Sequence, residues 1–241
     1  MSDLLIAHAK LTLSLRITGV RADGYHLIDA EMVSLALADT LTINPDGEGI
    51  TCDGAFADGT PVDSSNLVAR ALELSGRTAG VHIHKAIPHG GGLGGGSSDA
   101  AAILRWAGCR DIAGAAAIGA DVPFCLVGGR ARVRGIGEQI EPLPFEPMAI
   151  TLVIPPLSVS TPAVYRAWDA LDVPADSLND LEGAAIAVEP RLSDWRERVE
   201  KAAGERPTLA GSGATWFLRG HHQLAEALPN ALVVHTTTVE R

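Results

Sequence analysis

Aromatic residues are scarce in this chain: four Trp, two Tyr and four Phe among 241 residues. A core with so few large rings has to be built tightly from Ala, Gly and branched aliphatics. Cysteine is scarcer still. Cys52, Cys109 and Cys125 are odd in number, far apart and without a Cys-x-x-Cys spacing, which points to idle thiols in a reducing compartment. Basic residues are outnumbered, 19 against 29 acidic ones, for a net charge of −10. That balance argues against nucleic acid or an anionic membrane as partner, while an anionic nucleotide needs only a local positive site. No uninterrupted apolar run reaches about 18 residues, so no membrane span is expected. Met1 to Ile6 carries no basic region and only a short apolar run and does not read as a signal peptide, so a cytoplasmic location is expected. No obligate protein partner is evident. The chain also lacks a Walker-type Lys-Ser/Thr ending after a glycine loop, and the His-Arg-Asp and Asp-Phe-Gly triplets of protein kinases.

What it has is one glycine loop. Pro88, His89, Gly90, Gly91, Gly92, Leu93, Gly94, Gly95, Gly96, Ser97 and Ser98 run directly into Asp99 and an alanine-rich, helix-prone segment. Without Cβ atoms, successive N–H groups can point at a common centre, and a helix start adds unpaired N–H groups and a positive dipole end. The combination makes an anion cradle, most often for phosphate. A flexible linker has no reason to sit between an apolar strand and a helix.

Along the chain, residues 4–18 alternate apolar and polar positions and read as a strand, followed by a turn at 21–24. Residues 31–43 read as a strand interrupted at Asp39-Thr40. Residues 44–60, with several Asp-Gly pairs, are expected to be hairpin turns around short strands. A helix is expected over 66–75 with Ser64 or Ser65 as its cap, then a strand over 81–84. The helix after the loop is expected over 97–106, capped by the serines, and another over 113–118. Strands follow at 131–134 and 139–140. Three prolines in residues 142–147 mark a boundary between subdomains, 1–146 and 147–241. Beyond it come a buried strand (149–154), helices over 161–171, 178–187 and 192–203, a strand–glycine turn–strand over 208–218, a helix over 223–228 and a last strand over 231–236. This order suggests an α+β protein.

The loop resembles the second motif of the GHMP kinases, Pro-x-x-x-Gly-Leu-Gly-x-Ser-Ser. The doubled form Gly-Leu-Gly-Gly-Gly-Ser-Ser-Asp-Ala-Ala (92–101) is most similar to the branch that phosphorylates 4-diphosphocytidyl-2-C-methyl-D-erythritol in non-mevalonate isoprenoid synthesis. Ala9 to Leu15 with Arg21-Ala22-Asp23-Gly24-Tyr25-His26 is similar to the N-terminal motif of that branch, Gly119 to Phe124 to its catalytic segment, and Ala210 to Ala214 to the third superfamily motif. The resemblance implies a GHMP-kinase-like two-domain fold: a ribosomal-protein-S5-domain-2-like N-terminal domain, a ferredoxin-like C-terminal domain, and an active site between them. It implies an ATP- and Mg²⁺-dependent kinase acting on a small alcohol.

Phosphoryl transfer requires a phosphate cradle, charge neutralisation and a group that orients the attacking hydroxyl. Pro88 to Ser98 form the cradle, and Ser97 or Ser98 can offer a hydroxyl to Mg²⁺. Asp121 is the candidate facing the nucleophile, with capping of the next element as the plainer alternative. The resemblance pairs it with Lys10, which read alone is also compatible with a solvent-facing lysine. Tyr25 can stack on a cytosine ring and His26 can hydrogen-bond its edge, or the two simply close a turn. Gly211, Ser212 and Gly213 bring backbone close to substrate phosphates, or form a plain hairpin turn. Asn179-Asp180 also matches the family, with no role assignable from sequence.

His82 and His84 alternate on one strand face and fit a solvent face better than a metal pair. His221-His222 reads as surface loop. Asp46, Asp53 and Asp58 are turn residues without a calcium-loop spacing. Lys85 is placed to touch a nucleotide phosphate. The chain departs from the family pattern at His8, usually proline, and at Thr12, usually an asparagine that places substrate; Thr12 keeps a hydroxyl for that contact. Stretches 66–85 and 102–119 are short for the family, and no aromatic lies in 176–180 where one usually closes the cytosine pocket. Two rival readings follow: another GHMP-type kinase for a sugar, homoserine or mevalonate-like alcohol, and a catalytically silent nucleotide-binding protein.

Overall fold

The computed structural model describes residues 2–171 and 177–240. Two very long strands, β1 (Asp3–Val20) and β2 (His26–Asn44), form an antiparallel pair joined by the turn at 21–25. Bulges between His8 and Lys10, Thr12 and Ser14, and Ile17 and Gly19 let so long a pair bend around the core. β2 begins five residues before the expected strand, and Asp39-Thr40 does not break it. Asp39 is fully buried and its carboxylate is satisfied inside the fold, so a polar residue is tolerated there.

The stretch 44–60 differs from expectation. It holds a single strand, β3 (Ile50–Asp53), which runs parallel to β4 (Gly80–His84). Parallel neighbours need a crossover, supplied by α1 (Leu67–Leu74). The N-cap of α1 is Asn66, not Ser64 or Ser65: its Oδ1 accepts from the Val68 N–H at 2.8 Å. The next helix, α2 (Gly95–Trp106), starts two residues before Ser97 and is capped by Gly94 in the left-handed conformation, with no side-chain cap bond from either serine.

Then come α3 (Ile112–Ile118), a short unexpected α4 (Val122–Val127), β5 (Arg130–Gly135) and β6 (Gln139–Pro142). After an irregular stretch the chain continues as β7 (Ala149–Ile154), α5 (Thr161–Ala170), α6 (Glu182–Val188), α7 (Arg191–Ala203), β8 (Thr208–Leu209), β9 (Trp216–Arg219) and β10 (Leu232–Val239). α6 starts later than expected because residues 178–181 are used to bridge to β1. No helix forms at 223–228; these residues make turns that bury Leu224 and Leu228 ahead of Pro229.

β2 is the hub. It pairs with β1, β4, β5 and, at Ser34 and Leu35, with the end of β10. β10 pairs with β7 over most of its length, so two sheets become one, in the order β3-β4-β2-β10-β7-β9-β8, with β1 and β5 branching from β2 and β6 following β5. The Ala100–Leu104 segment of α2 is wholly buried against the sheet, where small side chains allow close approach. Among the described residues no helix is long and apolar enough to cross a membrane.

Candidate active site

Lys10 sits where the first bulge of β1 interrupts the ladder with β2. The freed Lys10 N–H donates to the Leu93 carbonyl of the glycine loop at 3.0 Å. Its side chain is buried; Nζ donates to Thr12 Oγ1 at 3.3 Å and lies 3.2 Å from Asp121 Oδ2. Lys10 and Asp121, more than a hundred positions apart, thus form an ion pair in which the lysine is 6% exposed and the aspartate 32%. Asp121 occupies the N-cap position of α4, but its carboxylate makes no cap bond. The capping alternative accounts for its backbone and leaves its side chain facing Lys10.

The glycine loop wraps over this pair. A Cβ on Gly94 would lie 2.7 Å from Lys10 Cγ, and φ there is +69°, so only glycine fits both the turn and the lysine. Gly92 (φ +73°) approaches the third motif so closely that a Cβ would stand 2.3 Å from the Ala210 carbonyl oxygen. At the helix start, Ser98 N–H is the first to reach a carbonyl, that of Gly94 at 2.8 Å, leaving the preceding N–H groups for an anion. A trough of about 220 Å³ runs along Pro88 to Ser97. His89 at its far end lies 2.9 Å from Thr60 Oγ1.

The two serines part company. Ser97 lines both the trough and a larger cleft, whereas Ser98 is buried and donates to the His8 carbonyl at 2.6 Å, on the other side of the loop. Of the two serines, Ser97 is therefore the one that borders the cleft. His8 closes the back of the site: its Nδ1 bonds the Leu35 carbonyl at 2.9 Å, and burial holds the imidazole below its ordinary range.

The larger cleft, about 550 Å³, is lined by Lys10, Thr12, Asp121, Tyr25, His26 and the Gly211-Ser212 turn, among others. It meets the trough at Gly92 and Ser97. Gly211 comes up against the pair, since a Cβ there would lie 3.7 Å from Lys10 Nζ and 3.9 Å from Thr12 Oγ1. The Ser212 and Thr161 hydroxyls hydrogen-bond at 2.7 Å, tying the turn to the start of α5. Tyr25 stands on the rim, 59% exposed, with the Arg21 guanidinium 5.4 Å from its ring. Tyr25 also closes the turn, for Arg21 N–H donates to its carbonyl at 2.8 Å.

Sequence reasoning missed the α5 wall. Tyr165 and Asp169 line the cleft, and Tyr165 is so buried, with Asp121 near, that its phenol is pushed up to about 12. Tyr165, Trp168 and Asp169 fall at i, i+3 and i+4 after the Thr161-Pro162 helix start, a signal that marks one helix face without saying what it meets. Asn179 also gains a role. Its Nδ2 donates to the Leu209 and Gly211 carbonyls at 2.9 and 2.6 Å, so it holds the third motif's turn.

Lys85 is not available to a phosphate, contrary to the sequence expectation. It is buried between Asp39 and Asp99, with Nζ 2.7 Å from Asp99 Oδ2. Asp39 Oδ1 accepts from the Ala86 and Ile87 N–H groups at 2.6 and 2.8 Å, so the triad braces the loop's entry. Burial alone would depress the lysine, but the two carboxylates outweigh it and hold Lys85 above its ordinary range. Burial pushes Asp99 up to about 7 despite Lys85, and among the described residues its Oδ1 has no partner. His82 and His84 stand exposed on β4 and share Asp53, at 3.4 and 2.6 Å. The aromatic-free stretch 176–180 begins outside the described residues, at Asp176.

Residues 65–129 match the family described as GHMP kinases N terminal domain. The 4-diphosphocytidyl-2-C-methyl-D-erythritol kinase of Paracoccus denitrificans (strain Pd 1222) is 40% identical over 233 residues, covering 88% of this chain and 84% of that protein. That of Jannaschia sp. (strain CCS1) is 39% identical over 239 residues, covering 88% and 86%. A crystal structure of 4-(cytidine 5'-diphospho)-2C-methyl-D-erythritol kinase superposes with a TM-score of 0.77 at 35% identity, covering 99% of both chains. The Methanococcus jannaschii mevalonate kinase, 11% identical with a TM-score of 0.66 over 99% of both chains, shares the fold.

Proposed function

Since the chain belongs to the 4-diphosphocytidyl-2-C-methyl-D-erythritol kinases of the GHMP family, we propose that it transfers the γ-phosphoryl group of ATP to the 2-hydroxyl of that substrate. The observation that carries the reading is the junction of the two cavities. The trough that offers N–H groups to phosphate and the cleft that holds an alcohol meet at Gly92 and Ser97, with Lys10 and Asp121 bordering the cleft. Donor phosphate and acceptor hydroxyl can approach each other there.

In this reading the acceptor oxygen lies between Asp121 and the γ-phosphorus. The new O–P bond forms as the bond to the ADP oxygen breaks, and the hydroxyl proton passes to the Asp121 carboxylate. A carboxylate is a weak base for an alcohol, so Asp121 works chiefly by orienting the hydroxyl, while Lys10 aligns Asp121 and offsets charge on the oxygen. Thr12 supports Lys10, and Gly211 to Gly213 flank the substrate phosphates. The Ser97 hydroxyl is a hard oxygen donor and suits Mg²⁺, an ion held mainly by substrate phosphates and water. When bound, the ion neutralises phosphate charge. Residues 1–146 bind ATP and carry the catalytic pair, and 147–241 supply the α5 wall and the third motif. Free thiols at Cys52, Cys109 and Cys125 accord with work in the cytoplasm.

A coupled ADP-release assay with Mg-ATP tests this, comparing the cytidyl substrate with mevalonate, homoserine and galactose. Turnover is expected on the cytidyl substrate alone. Asp121→Asn should bind ATP normally and lose turnover by a factor of about 100 or more. Turnover on another alcohol would keep the catalytic pair and discard the Tyr25-His26 pocket. Silence on all four would favour the binding-only protein.

A further inference from the structure

The charged side chains and the imidazole that line the cleft are those of Lys10, Asp23, His26, Asp121, Arg166 and Asp169. The three carboxylates are all matched. Asp23 accepts from Arg21 Nε and Nη2 at 2.8 and 2.6 Å, Asp121 Oδ2 lies 3.2 Å from Lys10 Nζ, and Asp169 Oδ1 lies 2.7 Å from His26 Nε2. Arg166 is different. It is exposed, and among the described residues its guanidinium has neither an ion pair nor a hydrogen-bond partner. In a chain of net charge −10, it is the cation on the cleft wall that is not already offset.

Its place along α5 is as informative as its charge. At the start of the helix the Thr161 hydroxyl bonds that of Ser212 at 2.7 Å, in the turn where a Cβ on Gly211 would lie 3.7 Å from Lys10 Nζ. Near the end of the helix Asp169 holds His26, and the Tyr165 ring lies 4.7 Å from the same imidazole. One end of α5 is thus tied to the catalytic pair and the other to the β1–β2 turn. At about 1.5 Å per residue the span from Thr161 to Asp169 is about 12 Å, and Arg166 stands about 7–8 Å along it.

We propose that Arg166 is a specificity-determining residue that binds the diphosphate linking the two halves of the substrate, so that the site favours an alcohol carried on a diphosphate over one without it. This rests on the proposed function, which sets the alcohol beside Lys10 and Asp121 and the cytidyl group by Tyr25; the diphosphate then falls between them, alongside the middle of α5. Lys10 is committed to Asp121, and the backbone of the Gly211 to Gly213 turn carries no net charge. Arg166 supplies the full positive charge that two phosphodiester anions require. Its planar fork can donate to oxygens of both phosphoryl groups at once, which an ammonium cannot do. Mevalonate, homoserine and galactose carry no diphosphate and gain nothing from it.

The test uses the full chain and two probes, cytidine diphosphate and cytidine, as competitors of the cytidyl substrate with ATP held saturating. Wild type should bind the diphosphate at least about tenfold more tightly than the nucleoside, and Arg166→Gln should cut that ratio at least about fivefold. In steady-state kinetics Arg166→Gln should raise KM for the cytidyl substrate about tenfold or more, with a much smaller change in kcat and none in KM for ATP. Arg166→Lys keeps the charge without the fork and should fall between the two. Raising KCl from about 0.05 to about 0.5 M should raise the wild-type KM for the cytidyl substrate more steeply than that of Arg166→Gln, because salt screens an exposed pair. A general loss of structure would raise both KM values and would not single out the diphosphate. An unchanged ratio of the two competitors in Arg166→Gln, or equal salt slopes, would overturn the proposal and leave the kinase reading intact. Turnover on another alcohol, with neither competitor bound, would overturn the substrate assignment and the role of Arg166 together.

Discussion

Of the three lysines in the chain, Lys10, Lys85 and Lys201, the first two are buried, and they serve different ends. Lys10 faces one carboxylate across the cleft. Lys85 faces two, Asp39 and Asp99, inside the fold. Burial, and after it the neighbouring Asp39 carboxylate, push Asp99 up to about 7 against the pull of Lys85. The linkage has a definite sign. Between an ordinary aspartate value near 3.8 and about 7 the folded protein keeps a proton that the unfolded chain loses, so stability falls as pH rises through that window. Asp99→Asn should flatten the slope and leave the protein at least as stable as wild type at pH 8. Lys85→Met should cost about 3–5 kcal/mol at the same pH, because it strands two buried carboxylates. Urea denaturation from pH 4 to 8 checks both, and a slope that survives in Asp99→Asn would assign the titration to another group.

At the scale of elements, the glycine loop is not uniformly dependent on glycine. Gly92 needs both its left-handed backbone and the space that a Cβ would take from the Ala210 carbonyl. Gly96 lies in the helix, and a Cβ there would make an ordinary 3.7 Å contact with Leu67 Cδ1. Gly92→Ala should therefore lower stability by at least about 1–2 kcal/mol from the left-handed strain alone and raise KM for ATP. Gly96→Ala should keep or gain stability, by up to about 1 kcal/mol. Thermal unfolding of the two variants separates them, and equal losses would mean that the loop moves as one body. The same scale explains where sequence reading went astray. Ser97 and Ser98 are good N-cap residues, but the first helical turn began earlier, at a left-handed glycine that leaves N–H groups for a ligand. Asp39-Thr40 read as an interruption of β2 because local propensity cannot see Lys85, which arrives 46 residues later.

At the scale of the whole molecule, Asn179 and Asp180 clip the early and late parts of the chain together. Asn179 holds the Leu209 and Gly211 carbonyls, Asp180 accepts from the Ile17 N–H at 2.8 Å, and Leu15 exchanges backbone bonds with Leu178 and Asp180. Asn179→Ala leaves two buried carbonyls unpaired and should cost about 2–4 kcal/mol at about 1–3 kcal/mol per group, allowing for partial relaxation. It should also raise KM for the alcohol substrate, since the Gly211 turn borders the cleft. Denaturant unfolding and steady-state kinetics measure the two effects, and a stable variant with unchanged KM would show that the turn holds its own shape.

By itself the sequence determined what depends on local backbone: the glycine turns that lead into a helix, the long strands, the helix with its Ala100–Ala102 face, and through the motifs the family and the candidates Lys10 and Asp121. Those features are written in contiguous residues whose conformational limits act within a few positions. Tertiary structure alone decided which hydroxyl faces the cleft, that Lys85 is an internal brace, and that Asp169 reaches His26 across 143 positions. Side chains far apart in sequence meet only when the sheet and helices place them. At those meetings burial and charge, which no local pattern encodes, decide what each group can do.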